Sequence, residues 1–443
     1  MRIQLSDHFT YKRLLRFVLP SILMIICTSV YSIVDGFFIS NFVGKTPFAA
    51  VNLIMPVLMG VGTIGFMIGT GGSAIVSKTL GEGKPEEANQ SFSMLIYIAI
   101  GFGAFISVIG FLFIRPISII LGAEGELLEN CVVYGRILFF SMPLFILQYA
   151  FQIFLVTAEK PGLSLTINII AGLTNAILDY VLIVLFPLGV AGAAIATSLG
   201  QAVGGIVPIL YFARKNNSTL QLTKTHFNKR ILKNACINGS SEMVTNLSTS
   251  IVSILYNFQL IKLAGENGIA AYGIIMYVNI IFMAIFLGYS LGSAPIVSYH
   301  YGAGNHSELK NLLRKSILLL SVSGVFLVIF SELLAKPLVT IFASYDANLL
   351  SITIRGFQLY ALAFLIMGIN VWGSAFFTAL NNGVISAAIS FLRTLVFQII
   401  VVLILPIFLD IDGIWLSIVI AELLSLIVTI FFLFIKRNYY HYV

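Results

Sequence analysis

Long apolar runs alternate with short polar breaks along almost the entire chain. A run of about 20 apolar residues crosses the hydrocarbon core of a bilayer as a helix. Twelve such runs can be counted, at 18–41, 48–76, 92–114, 131–157, 163–186, 190–212, 235–260, 269–298, 316–335, 353–379, 384–408 and 414–435. Several exceed the length a bilayer needs, which predicts tilt, bends or extension beyond the hydrocarbon. The breaks carry glycine. LGEGKPEEANQ (80–90) and YGAGNHSELKN (301–311) each place Gly-x-Gly after a long run. The Lys-Ser/Thr that would complete a phosphate-binding loop is missing. Glycine helix stops followed by acidic restarts account for both stretches.

Shifted by 221 residues, the chain begins to match itself. Gly44 falls on Gly265, Gly81 and Gly83 on Gly302 and Gly304, and Glu87 on Glu308. Pro116 falls on Pro337, Thr157-Ala158 on Thr378-Ala379, and Gly192 on Gly413. A register held this long is an internal duplication. Six runs per half is an even number, so both halves enter the membrane in the same sense. Parallel repeats of this kind are typical of transporters, with a cavity between the halves. The expected architecture is an all-α polytopic membrane protein. Its twelve transmembrane helices form two six-helix lobes related by a pseudo-two-fold axis along the membrane normal. The N-lobe is expected at 1–213 and the C-lobe at 231–443. RKNNSTLQLTKTHFNKR, 214–230, reads as a cytoplasmic linker between them.

Composition narrows the class. The chain is 59% hydrophobic and 10% charged, with a mean hydropathy of +1.01. Soluble domains carry about 25% charged residues, so a soluble catalytic protein is excluded. The net charge of +7 reads as topology rather than as a nucleic-acid footprint. With a cytoplasmic N-terminus, 18 Lys and Arg fall on the inner side, 6 on the outer, and Arg393 within a run. That asymmetry obeys the positive-inside rule and puts both termini in the cytoplasm of a multi-pass inner-membrane protein. The stretch MRIQLSDHFTYKRLLRF lacks the short apolar core and cleavage site of a removable leader, so the first run is expected to stay as a helix. Cys27, Cys131 and Cys236 show neither metal nor redox spacing. The runs hold no nucleophile–base or metal-ligand cluster, so the expectation is a non-enzyme without a cofactor, a monomer whose partner is the lipid bilayer.

Against this background two aspartates stand out. Asp35 lies in SVYSIVDGFFIS and Asp179 in NAILDYVLI. A carboxylate at a helix centre costs about 2.5–3.5 kcal/mol on insertion scales, and such groups face the bundle interior with a partner. Asn175 and Asp179 are one turn apart on a single helix face, as are Thr28, Tyr31 and Asp35. Thr197 and Gln201 share a face lined by Ala and Gly, which lets helices approach closely. A pair of buried carboxylates can take up a proton near neutral pH, and hard oxygens also suit sodium. A structural polar knot is the alternative. Tyr31, Gln201, Glu242, Arg393 and Glu422 are candidate cavity-lining residues, Arg393 also as a counter-charge to an acid. Trp372 and Trp415 read as interfacial anchors, and His300 and His306 as solvated groups beside a loop.

Pro20 fifteen residues before the Asp35 of VDGFFIS, the Asn-x-x-x-Asp of NAILD, and GVAGAAIATSLGQ, in two six-span halves, resemble the bacterial MATE (multidrug and toxic compound extrusion) family. The resemblance covers nearly the whole chain. It implies a secondary antiporter that expels small lipophilic cations, such as dyes, quaternary ammonium compounds or drugs, in exchange for protons or sodium. Residue by residue, it puts the cation-coupling site on Asp35, Asn175, Asp179 and Thr197, and a helix bend at Pro20. Some relatives carry acids in spans seven and ten. Here span ten, FLIMGINVWGSAFFTAL, has none and span seven has Glu242 alone, which loads coupling onto the N-lobe. The rival reading is a flippase or exporter of lipid-linked or polyanionic substrates, which requires a more cationic cavity.

Overall fold

The computed structural model describes residues 3–343 and 346–442. Apolar periodicity becomes helix nearly everywhere. Helix α1 is Tyr11–Phe38 and runs on as a π-turn, Ile39–Val43. Then come α2, Lys45–Gly81, and α3, Pro85–Ile120. Helix α4 has two halves, Gly125–Phe140 and Met142–Thr157, bent by 57°. Helix α5, Pro161–Asp179, also ends in a π-turn, Tyr180–Leu185, and α6 is Gly189–Ala213. The next helical stretch, Lys229–Gly302, is 74 residues long. At 1.5 Å per residue it would reach about 110 Å, far beyond a core of about 30 Å. It breaks at Gly265, whose φ of 60° and ψ of −146° leave the helical region. That break makes α7 (229–264) and α8 (266–302).

Helix α9 is His306–Ala343. The halves of α10, Ala347–Ala361 and Phe364–Ala379, meet at 50°. Helix α11 comprises Gly383–Phe391, a π-turn Leu392–Val396, and Phe397–Ile404. Helix α12, Pro406–Tyr440, is interrupted at Asp410. Among the described residues the protein is thus an all-helical membrane protein of twelve helices in two lobes of six.

The duplication is written into the backbone as well. Positive φ occurs at Gly44 (122°) and Gly265 (60°), at Gly83 (77°) and Gly304 (66°), and at Gly189 (60°) and Asp410 (47°). Each pair is separated by the same 221 residues. The loop glycines therefore stop helices by left-handed geometry, and Glu86 and Glu87, or Glu308, occupy the first turn of the next helix.

The lobes close on each other at the face that carries the chain termini. A Cβ on Gly81 would sit 2.0 Å from the Tyr299 carbonyl oxygen, and one on Gly302 would sit 2.0 Å from that of Lys78. Gly71 and Gly239 make the same close approach between α2 and α7. Without side chains the backbones meet directly. Two segments brace this closure. Leu5 and Phe9 are buried, and their amides donate to Glu159 Oε1 and Glu308 Oε1, each at 2.9 Å. The segment before α1 thus bridges the α4–α5 turn of one lobe and α9 of the other. The segment before α7 lies on α3: Gln221 N–H donates to Asn89 Oδ1 and Thr223 N–H to Ser93 Oγ, both at 2.8 Å. Each lobe's leading segment crosses to the third helix of the opposite lobe.

Three expectations about side chains fail here. Trp372 and Trp415 are 1% exposed. Trp372 donates to Ser293 Oγ at 3.0 Å instead of reaching an interface. His300 is buried against the Phe9 ring rather than solvated, because the N-terminal segment folds over it.

Candidate functional site

Asp35 descends from α1, Asn175 and Asp179 from α5, and Thr197 from α6. Helix α5 packs against both α1 and α6, the π-turn Ile39–Val43 touches α6, and Gly200 of α6 lies against Ala171 and Asn175 of α5. The small residues of GVAGAAIATSLGQ make that approach possible. As a result Asp35 lies against Asp179, Asn175 and Thr197. All four site residues singled out by sequence sit in one place. Asp35 is 8% exposed, Asn175 2% and Asp179 0%. Asn175 Nδ2 donates to Thr197 Oγ1 at 3.4 Å. Both Asp179 oxygens, Asp35 Oδ1 and Asn175 Oδ1 are buried without a hydrogen-bond partner. Two carboxylates held together with so few donors are electrostatically unfavourable when both are charged. A proton or a small hard cation satisfies them, and the donor set fits either.

Asp179 stands at the edge of a π-turn, and Asp35 lies one turn before another. Asp179 is the last residue before Tyr180–Leu185, and the Ile39 amide is shared between the carbonyls of Asp35 and Gly36. π-Turns loosen the regular ladder and often mark functional positions.

Tyr134, on the first half of α4, completes the site. It is fully buried and faces Asp35, Asp179 and Thr197. Sequence reasoning passed over it, since a tyrosine in a membrane helix carries no insertion penalty that marks it.

A cavity of about 1210 Å³ separates the lobes. Thr28, Ser32 and Gly36 of α1 line it, while Asp35 points away from it into the lobe. Helix α1 is therefore the partition between carboxylates and cavity. Phe66, Tyr149, Tyr277 and Phe282 give the wall aromatic faces, and Glu242 is its only ionisable acid or base among the described residues. Of the five candidate lining residues, Glu242 alone is on that wall. Tyr31 turns inward beside Gln148 and Asp35. Gln201 accepts from Ser141 at 3.0 Å, at the bend of α4. Arg393 and Glu422 are 8% and 2% exposed inside the C-lobe, with Nε and Oε1 3.9 Å apart. These four were misplaced because helical spacing tells which residues share a face, not which neighbour that face meets. Pro20 lies within α1, which runs unbroken through it.

The MatE family model matches residues 20–181 and again 243–404. The chain is 26% identical over 371 residues to the multidrug export protein MepA of Staphylococcus haemolyticus, covering 81% of this chain and 80% of that protein. It is 25% identical over 445 residues to the MepA of Staphylococcus aureus, covering 97% and 94%. Among solved structures, the outward-facing conformation of a multidrug resistance MATE family transporter of the MOP superfamily superposes with a TM-score of 0.93. That match is at 22% identity and covers 98% of both chains.

Proposed function

The chain belongs to the MatE family, and on that premise we propose that it is a secondary antiporter. It exports lipophilic, mostly cationic compounds in exchange for a proton or sodium held by the N-lobe carboxylates. The observation that carries this reading is the set of four buried oxygens without donors, on Asp35, Asn175 and Asp179. They lie one helix away from a cavity with aromatic walls and a single carboxylate. Ring faces attract cations, and polyanions need basic groups. No Lys, Arg or His lines the cavity among the described residues, which weighs against the export of lipid-linked polyanions.

The alternation follows from the geometry. With the termini in the cytoplasm, the lobes are closed on the inner side by the α2–α7 and α2–α8 glycine contacts. The drug site then communicates with the outside. Loading Asp35 and Asp179 with a cation removes their mutual repulsion and lets α1 settle against α5 and α6. Because α1 is also the cavity wall, that movement reshapes the surface bearing Thr28, Ser32 and Gly36 and lowers affinity for the drug. The loaded protein returns inward, releases the ion, and binds again. Pro20 removes one backbone hydrogen bond from α1 and gives that helix a place to flex.

The test is ion-driven ethidium efflux from proteoliposomes under an imposed pH or sodium gradient. Asp35→Asn and Asp179→Asn are expected to fold normally and to reduce efflux to the level of empty vesicles. Wild-type efflux in both variants would overturn the coupling role.

A further inference from the structure

Two lobes of one design invite comparison of the places where an ion would sit. At the 221-residue offset, Asp35 corresponds to Tyr256, Tyr149 to Asn370, and Gln201 to Glu422. The C-lobe thus keeps one acid at this depth, on α12 instead of α1. Its surroundings differ from those of the N-lobe pair in one decisive respect. Arg393, on the π-turn of α11, brings Nε to 3.9 Å from Glu422 Oε1. The other carboxylate oxygen accepts from Asn370 Nδ2 at 2.7 Å. Glu242, across on α7, lies within electrostatic reach of the same guanidinium. Tyr256, Tyr272 and Tyr360 surround the group, and Tyr256 donates to Gln398 Oε1 at 3.0 Å.

Where the N-lobe leaves carboxylate oxygens bare, the C-lobe supplies its own cation. We infer that Arg393 is a tethered counter-ion, occupying the place an exchangeable cation would take and holding Glu422 in one charge state throughout the cycle. A guanidinium does not lose its proton in a protein, so it cannot act as a carrier. Its charge is permanent and its chain is anchored. Ion exchange is then confined to the N-lobe, an inference that rests on the coupling role proposed above. It also accounts for the missing acid in span ten: a site already filled by Arg393 needs no second carboxylate. A buried pair with one partner removed leaves an uncompensated charge, while removal of both is close to neutral.

Tryptophan emission offers a direct test, because the chain has two tryptophans and both are buried in the C-lobe. The measurement uses the full chain in nanodiscs, titrated from pH 5 to 9 and separately with sodium. The background is Asp35→Asn/Asp179→Asn, so that the N-lobe carboxylates are silent. That background is expected to give a flat response. Arg393→Met is expected to create an ion-dependent change in emission that disappears when Glu422→Gln is added. No new response, or one that survives Glu422→Gln, overturns the inference.

Should Arg393→Met not fold, the double variant Arg393→Met/Glu422→Gln, with the native N-lobe, still decides the matter. It removes both charges of the pair together and is expected to keep ion-driven ethidium efflux within about twofold of the native protein. Loss of that efflux with ethidium binding intact would place the pair inside the coupling machinery and overturn the inference. Normal efflux in Asp35→Asn would instead strike the N-lobe reading, leaving the tryptophan titration to be judged by itself.

Discussion

Asp410 holds a backbone conformation that its counterpart Gly189 adopts freely. Its φ of 47° and ψ of −131° lie in a region nearly reserved for glycine. Such residues cost of order 1–3 kcal/mol, and glycine's extra freedom in the unfolded chain offsets part of any relief. Asp410→Gly is therefore expected to stabilise the protein by about 1 kcal/mol, read as a rise in melting temperature of the detergent-solubilised chain. A fall would mean that the aspartate side chain supports the turn. At this scale the sequence was legible where a residue type is expensive. Asp35 and Asp179 could be picked out because a carboxylate in an apolar run demands a reason. Tyr134 could not, since tyrosine is cheap in a membrane helix. Gln201 was seen as polar and in a helix, but its meeting with Ser141 depends on the 57° bend of α4, which no spacing rule encodes.

The leading segments of the two lobes show what is lost when short elements are read alone. Residues 3–9 lie outside the apolar runs that mark the helices. In the structure Leu5 and Phe9 are buried and tie Glu159 of one lobe to Glu308 of the other. Asn311 adds a bond to the Phe9 carbonyl at 3.1 Å, and His8 Nδ1 lies 2.6 Å from Glu308 Oε2. Truncating a buried phenylalanine costs about 3–5 kcal/mol. If most of that contact exists only while the terminal face is closed, Phe9→Ala shifts the closed–open balance by roughly a hundredfold to a thousandfold. Spin labels at Glu86→Cys and Ser307→Cys, on exposed starts of α3 and α9, are expected to gain a longer-distance population in the Phe9→Ala protein. An unchanged distance distribution would make the segment a passenger rather than a brace. The glycine contacts act at the same place by a different route. Gly71→Ala puts a methyl group 1.9 Å from the Ala235 carbonyl oxygen. The same labels should then report opening even with Phe9 in place.

At the scale of the whole molecule the duplication was the most legible feature, because it survives as a constant offset after most residue identities have drifted. What drifted is the charge distribution, and it sets the energetics of the pump. On the coupling proposed above, the N-lobe pair holds one exchangeable cation per cycle, and the C-lobe acid Glu422 has Arg393 beside it instead. One inward ion per cycle then balances one outward monocationic drug. No net charge crosses, and a membrane potential alone does no work on that exchange. A dicationic substrate differs: each cycle moves one positive charge outward, against a negative interior. One charge across 100 mV is worth about 2.3 kcal/mol, and 1.4 kcal/mol is tenfold in an equilibrium. The limiting concentration ratio for a dication is therefore expected to fall roughly fortyfold per 100 mV, while that for a monocation stays level. Proteoliposomes with a fixed ion gradient and a potential set by potassium and valinomycin measure both ratios. A monocation whose ratio follows the potential would require a second ion in each cycle, carried either by a second proton on the Asp35–Asp179 pair or by the C-lobe, and the Asp35→Asn and Asp179→Asn variants separate the two.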